Sequence, residues 1–361
     1  MDHRPDLLLY LVYGADSYHQ EAVFSIASAL ARLRDTPQAA VRIEVCADRA
    51  EPYAALPVRV RALDAATLDA WCAPHGYRFR AKHVALRRAF DGADPPPARA
   101  ILIDTDTFFH RSPAELFDLV CPGTLLCNHI GPRYGAHPEN TLYRSLAKRL
   151  QARGLADDAM ALTNSGVIGL AHDDRAVLDH ALALMDEFHP HAEGAYTLEE
   201  FVLAVAAHAA GLALAECPTQ IHHYWSRKQI FRAKIRAWLE RHAAAPLAAG
   251  AVADIGEINA RVPRPPLAQR LLYKLATGPL PAAQRQFARE LLYGCYPHAN
   301  AFDRACGPIW WEKAVTNLRE RGPVADADIV RWLQAPVLRG LLGSDLATVG
   351  AHLRARGLLD A

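Results

Sequence analysis

Two carboxylates separated by one residue close an apolar run, Ala100-Ile101-Leu102-Ile103-Asp104-Thr105-Asp106. Packing explains acids at such a place poorly. Asp104 and Asp106 offer hard oxygen ligands to a divalent cation, which can in turn bridge phosphate oxygens. Further on, Asn164-Ser165-Gly166 enters another apolar run. Its amide and hydroxyl can hydrogen-bond sugar hydroxyls, and the glycine admits close backbone approach. The pair His222-His223 follows a third strand-like segment. A neutral imidazole can complete a ligand set with two carboxylates. Neighbours on an extended segment point to opposite sides, so one of the two histidines is expected at the site. Lys228, shortly after them, would neutralise phosphate charge.

These residues need elements that bring them together. The run ending at Asp104 is apolar on both faces, the pattern of a buried strand in a parallel sheet. Ligands of open α/β sheets bind beyond the carboxyl ends of such strands. Residues 7–13 read as a first, central strand stopping at Gly14, and residues 17–34 carry Val23, Ile26, Ala27 and Leu30 at helical spacing. Strands are expected at 41–46 and 58–63, and a helical region at 68–90 broken near Pro74-His75-Gly76. Residues 91–99, with three consecutive prolines, form a loop into the strand that ends at Asp104. This alternation implies βαβ units and a mostly parallel sheet, with the acidic pair on about the fourth strand. Ser112, followed by Pro113 and Glu115, is placed to cap a helix.

Residues 123–128 read as a short strand, and the polar 129–140 as a substrate-facing loop. A helix at 141–153, a strand at 161–170, helices at 174–188 and 198–210 and a strand at 212–216 follow. From Ser226 the pattern turns helical, which divides the chain into domains 1–225 and 226–361. The segment from Arg227 to His242 is amphipathic, with Phe231, Ile235, Trp238 and Leu239 on one side and Lys228, Arg232 and Arg236 as a basic stripe.

The 361 residues carry 40 Lys plus Arg against 39 Asp plus Glu, a net charge of +1 that gives no general case for a nucleic-acid partner. Seven scattered cysteines without a C-x-x-C pair argue against a disulfide framework or structural zinc and for a reducing compartment. No signal-peptide architecture surrounds residues 7–13. A cytoplasmic protein is expected, with peripheral membrane contact through the helix from Arg227 to His242 as the alternative to simple packing.

An apolar strand followed by D-x-D-x-T is also how haloacid-dehalogenase-type phosphatases present a nucleophilic Asp, here Asp104, and Thr107 fits that pattern. Such a phosphatase resembles its family best when the motif follows the first strand, and it needs a later acidic pair, for which Asp173-Asp174 is the candidate. The wider order favours another reading. A strand ending in Tyr13-Gly14, a helix carrying Lys82, Asp104-Thr105-Asp106, Asn164-Ser165-Gly166, Glu199-Glu200 and His223-Tyr224-Trp225-Ser226-Arg227-Lys228 succeed one another. Over about residues 5 to 230 this resembles a nucleotide-sugar glycosyltransferase of GT-A fold, most similar to glycosyltransferase family 8, the glycogenin and galactosyltransferase-like group, and its relatives.

The resemblance implies an α/β fold, Rossmann-like, with a mostly parallel central sheet flanked by helices and an α-helical C-terminal region. It implies a hexose moved from a nucleoside diphosphate sugar, UDP by resemblance, to a hydroxyl of a saccharide or lipid-linked acceptor. Mn²⁺ (or Mg²⁺) would sit on Asp104, Asp106 and His223, with His222 as competitor. Tyr13, Gly14, Lys82, Asp104, Asn164, Ser165 and Lys228 would hold the donor, and Glu199 or Glu200 would stand at the sugar. A base for an inverting reaction could be Glu199, Glu200 or Asp158. A non-catalytic nucleotide-sugar-binding scaffold is the remaining alternative. The motif departs from the family's usual His-Phe-x-Gly, and Glu199-Glu200 replaces the family's usual acid followed by Gln.

Overall fold

The computed structural model describes residues 4–92, 95–136 and 139–359. Ala93 and Asp94 of the proline-rich loop, and His137 and Pro138 of the expected substrate loop, lie outside the described residues. The chain divides into two compact units, Met1–Trp225 with Ala243–Val252, and Ser226–His242 with Ala253–Ala361.

In the first unit the strands are β1 (Asp6–Val12), β2 (Val41–Ala47), β3 (Arg59–Ala62), β4 (Arg99–Ile103), β5 (Thr107–Phe109), β6 (Thr124–Arg133), β7 (Ala161–Ala171), β8 (Ala213–Glu216) and β9 (Ile221–His223). Seven form one sheet in the order β3-β2-β1-β4-β7-β6-β8, and β5 pairs with β9 in a small antiparallel ribbon. All neighbours in the large sheet are parallel except those of β7, which runs against β4 and β6. This is the expected α/β class, a mostly parallel sheet flanked by helices. The completely buried Leu7, Leu8, Tyr10, Ala100 and Ile101 confirm strands apolar on both faces.

The reversal of β7 matters for function. In a parallel neighbour the start of a strand lies at the far edge from Asp104. In β7 the start lies beside the end of β4: Val167 is opposite Ile103, and the Asp104 amide donates to the Gly166 carbonyl at 2.9 Å. Asn164-Ser165 therefore reaches the edge where Asp104 emerges. By the same geometry Ala171 is opposite Arg99, so Asp173 and Asp174 leave the sheet about 13 Å away, at the other edge. The acidic pair that a phosphatase would require is not at Asp104, and the Asp174 carboxylate instead accepts the Gly123 amide.

The helix Arg80–Asp91 lays Ala81, Ala85 and Ala89 against the sheet, small residues that let its backbone approach closely. Lys82 shares that inward side and is buried, so it is not a helix-surface lysine. The expected loop at 129–140 is corrected: β6 continues to Arg133 and a short 3₁₀ turn spans Tyr134–Ala136. Its polar residues pair irregularly with the start of β7, with shifts between Cys127 and His129 and between Ile130 and Arg133. Strand pairing there satisfies backbone groups without an apolar alternation that a sequence pattern would show.

The second unit is helical throughout its described residues, packed around Phe287, Leu291, Trp311 and Val315. The helix Lys228–His242 buries Phe231, Ile235 and Trp238 completely or nearly so. Its apolar side is thus spent on packing, which leaves the basic stripe for the membrane contact expected of Arg227–His242. No described helix is long and apolar enough to cross a membrane. All seven cysteines are free.

Candidate functional site

The site forms where four chain segments meet at the carboxyl edge of β4. Asp104 and Asp106 follow that strand directly. β5 then pairs with β9, setting Thr107 opposite His223, so a contact across more than a hundred residues lays the imidazole beside the acids. One ligand atom each from Asp104, Asp106 and His223 lie within 4.8 Å of one another, close enough to share one cation. His222 points the other way, packing on the rings of Phe108, His110 and Tyr224. Burial, then the neighbouring His110 and His223, lowers its pKa and keeps it neutral.

The donor set fits a divalent ion. His223 Nδ1 lies 3.1 Å from the Asn164 side-chain oxygen, which can only accept, so Nδ1 carries the proton. In the neutral ring Nε2 then offers its lone pair toward Asp106 Oδ2, 3.4 Å away. A lone pair and a carboxylate oxygen repel unless a cation or proton lies between them. Carboxylate–imidazole ligation with the second ring nitrogen anchored by an amide is a recognised pattern of metal sites. Gly166 is part of the same construction: a Cβ there would lie 2.3 Å from His223 Nδ1. The glycine of Asn164-Ser165-Gly166 thus makes room for the imidazole.

Lys82 stands on the other side of Asp104. Its ammonium is 2.9 Å and 3.0 Å from the two Asp104 oxygens, 3.7 Å from Glu199 and 3.3 Å from both the hydroxyl and the carbonyl of Ser165. Burial would lower its pKa, but Asp104, Glu199 and Asp106 more than offset that, and it is held above the ordinary range. Glu199 is buried and committed. It accepts from Tyr77 at 2.9 Å and Ser165 at 3.0 Å, and its charge is balanced by Lys82. Burial, followed by Glu199, pushes the Tyr77 hydroxyl up, so it remains a donor.

Glu200 is different. It is half-buried, 3.4 Å from both the Asn164 amide nitrogen and the Ser165 backbone nitrogen. Burial first, and the Glu199 charge second, push its carboxyl up to about 7. Asp104 and Glu199 thus share one ammonium, with Asp106 and Glu200 close by, an arrangement rich in carboxylates that a divalent cation would relieve.

Tyr13 and Gly14 emerge from β1 at the same edge, since Tyr10 is opposite Ile103 in the parallel pair. The Tyr13 hydroxyl donates to the Arg78 carbonyl, and burial pushes it up to about 12. Gly14 takes a positive φ of 90°, and its amide donates to Asp48 at 2.8 Å. Lys228 opens the helix Lys228–His242 in the second unit. Thr107 turns inward, donating to the Asp104 carbonyl and meeting Ser25. Sequence reasoning missed Tyr77 and the part Gly166 plays for His223. Neither carries a local motif, since both act through residues distant in the chain.

No protein-family model and no curated protein sequence matches this chain. Solved structures similar in fold include mouse xyloside xylosyltransferase 1, with 14% identity and a TM-score of 0.40 over 59% of this chain and 85% of that one. Another is the bifunctional glycosyltransferase WbbM, with 13% identity and a TM-score of 0.37 over 60% of this chain and 39% of that one. A third is galactosyltransferase LgtC in complex with donor and acceptor sugar analogs, with 11% identity and a TM-score of 0.33 over 58% and 73%. At these scores the likeness concerns the outline of the fold, and the chemistry must be read from this chain's own side chains.

Proposed function

We propose that this chain is a divalent-metal-dependent glycosyltransferase that moves a hexose from a nucleoside diphosphate sugar, with UDP the expected nucleotide, to an acceptor hydroxyl. The observation that carries the reading is the convergence of Asp104, Asp106 and His223 beyond the carboxyl edge of a mostly parallel sheet. Those three residues would hold Mn²⁺ or Mg²⁺, whose charge stabilises a departing diphosphate.

The other residues take roles consistent with their surroundings. Tyr13 and Gly14 border the nucleotide. Lys82 orients Asp104 through contacts to both of its carboxylate oxygens. Asn164 fixes the His223 tautomer with its oxygen and turns its nitrogen toward Glu200. Ser165 ties Lys82 to Glu199. Glu200, the acid that is not consumed by an ion pair, orients the sugar or accepts the acceptor's proton. A carboxyl that titrates near neutrality suits proton transfer. Glu199 is assigned to holding Lys82 and not to the reacting atoms.

The test is thermal stabilisation by nucleoside diphosphate sugars with and without Mn²⁺, followed by Mn²⁺-dependent hydrolysis of any that stabilise. Ligand binding to the folded state raises the melting temperature by mass action. Stabilisation and hydrolysis should both vanish in Asp106→Asn. Absence of stabilisation by every such sugar would refute the reading, and stabilisation without hydrolysis or transfer would reduce the chain to a binding scaffold.

A further inference from the structure

The helix Leu267–Ala276 in the second unit is turned inside out. None of its residues is buried, and Leu267, Leu271, Leu272 and Leu275 are 63%, 53%, 58% and 74% exposed. The residues it presents more closely to the protein are Gln269, Arg270 and Tyr273. Leu267, Leu271 and Leu275 recur every four residues, so they form one continuous outward stripe. Folding normally removes such side chains from water. A contiguous apolar stripe left outside marks a surface that something else covers.

The surroundings of this stripe are rich in cations, with Asp345 near Tyr273 as a counter-charge. Lys274 is exposed on the helix itself. Arg261 and Arg264 lie just before it, and with Arg227 and Lys313 they line a cavity of about 620 Å³. Arg264 and Lys313 also line an adjoining cavity of about 250 Å³ with Arg289 and Tyr293. Tyr293 packs on Tyr273 of the exposed helix at 6.2 Å between ring centroids. Among the described residues no carboxylate forms an ion pair with Arg261, Arg264, Arg289 or Lys313. The one acid lining these cavities, Glu290, is engaged by Gln286 and Asn317.

A second copy of this chain is a poor occupant. It would bring like charges together, and four leucines on a ten-residue helix fall well short of the ~800 Å² per partner that a stable interface buries. An apolar stripe flanked by cations matches the boundary between acyl chains and phosphate headgroups.

We propose that the second unit docks on an anionic membrane surface through Leu267, Leu271, Leu272 and Leu275, with Lys274 and the arginines of the adjoining cavities facing headgroup phosphates. The inference is independent of the glycosyltransferase reading, and its readout requires no enzymatic activity.

The experiment is co-sedimentation of the full chain with vesicles of phosphatidylcholine alone or with phosphatidylglycerol, at low and high salt. The anionic vesicles should bind the protein on the order of tenfold more tightly, with the preference screened by salt. The double variant Leu271→Ser with Leu275→Ser should lose vesicle binding while keeping its melting temperature, because neither side chain is in the core. Arg261→Glu with Arg264→Glu should lose the preference for anionic lipid. No binding to anionic vesicles at low salt would overturn the proposal, as would equal binding to neutral vesicles. A dimer seen by light scattering without lipid and abolished by the leucine variant would also overturn it, assigning the stripe to a second copy.

Discussion

Substituting Gly166 by alanine should dismantle the metal site while leaving the sheet in place. Gly166 lies within β7 and has no positive φ, so an alanine is compatible with its backbone. The added Cβ, however, would sit 2.3 Å from His223 Nδ1, 2.4 Å from Cε1 and 2.9 Å from Cγ. Ordinary carbon contacts lie at about 3.5–4.0 Å, so the ring must retreat by roughly 1 Å or more. It has little room, with Asn164 at 3.1 Å, Asp106 at 3.4 Å and β9 held by β5. Overpacking of this kind costs about 1–3 kcal/mol, or a melting temperature lower by roughly 2–12 °C for a unit of this size. Moving an imidazole off its amide anchor typically lowers metal affinity by ~10–100-fold. Mn²⁺ binding can be followed by electron paramagnetic resonance of the free ion, and stability by thermal melting in a chelator. The decisive control is His223→Ala, in which the clash has no partner. The thermal cost of Gly166→Ala should largely disappear there, giving a coupling of about 1 kcal/mol or more. Unchanged Mn²⁺ affinity in Gly166→Ala, or an equal thermal cost in both backgrounds, would refute the assignment of Gly166 to the His223 ring.

Three further outcomes follow from the same geometry. Lys82→Met leaves Asp104 and Glu199 facing each other without their shared cation and should cost about 3–5 kcal/mol in urea denaturation, part of it recovered by adding Glu199→Gln; a loss below about 1 kcal/mol would mean that the buried ion cluster has been misread. In chelator, Glu200 keeps a proton in the folded chain up to about pH 7, whereas its ordinary value is 4.5. Between those values the folded state binds the extra proton, so stability falls as pH rises from 4.5 through 7 and is level above that. Glu200→Gln should remove this slope, and identical slopes in both proteins would exclude Glu200 as its source. Finally, His223→Ala should abolish Mn²⁺ binding and His222→Ala should retain it, losing only the packing on Phe108, His110 and Tyr224. The reverse pattern would exchange their roles.

How far the site could be read in advance follows from the range of the interactions that build it. Asp104-Thr105-Asp106 was legible because one local fact, an apolar strand ending in acids, fixes both its place and its exposure. Lys82 was half legible. Its helix pattern was plain, but whether it lay inward depended on the phase set by Ala81, Ala85 and Ala89, and alanine is a weak marker of phase because it is tolerated on either side. The choice between His222 and His223 could not be made locally. It is decided by the pairing of Thr107 with His223, and a register one residue different would have exchanged the two side chains. The polar stretch 129–133 was misread for the opposite reason, since irregular pairing with β7 needs no alternation of its own.

Glu199 and Glu200 carry the reasoning furthest. Successive residues on a helix are turned by about 100°, so two adjacent acids cannot both face one cation. The helix Leu198–Ala209 offers no polar side from which to predict its phase, because Leu198, Phe201, Val202, Leu203, Ala204, Val205 and Ala206 are all buried. The phase is selected instead by partners on other elements. Tyr77 and Lys82 draw Glu199 inward and neutralise it, which leaves Glu200 beside Asn164, where burial and its neighbour's charge raise its pKa. The two roles are therefore coupled. Lys82 and Tyr77 hold an ionised Glu199 in place, and burial together with that charge makes Glu200 a weak acid facing the site, against the opposing pull of Lys82 itself.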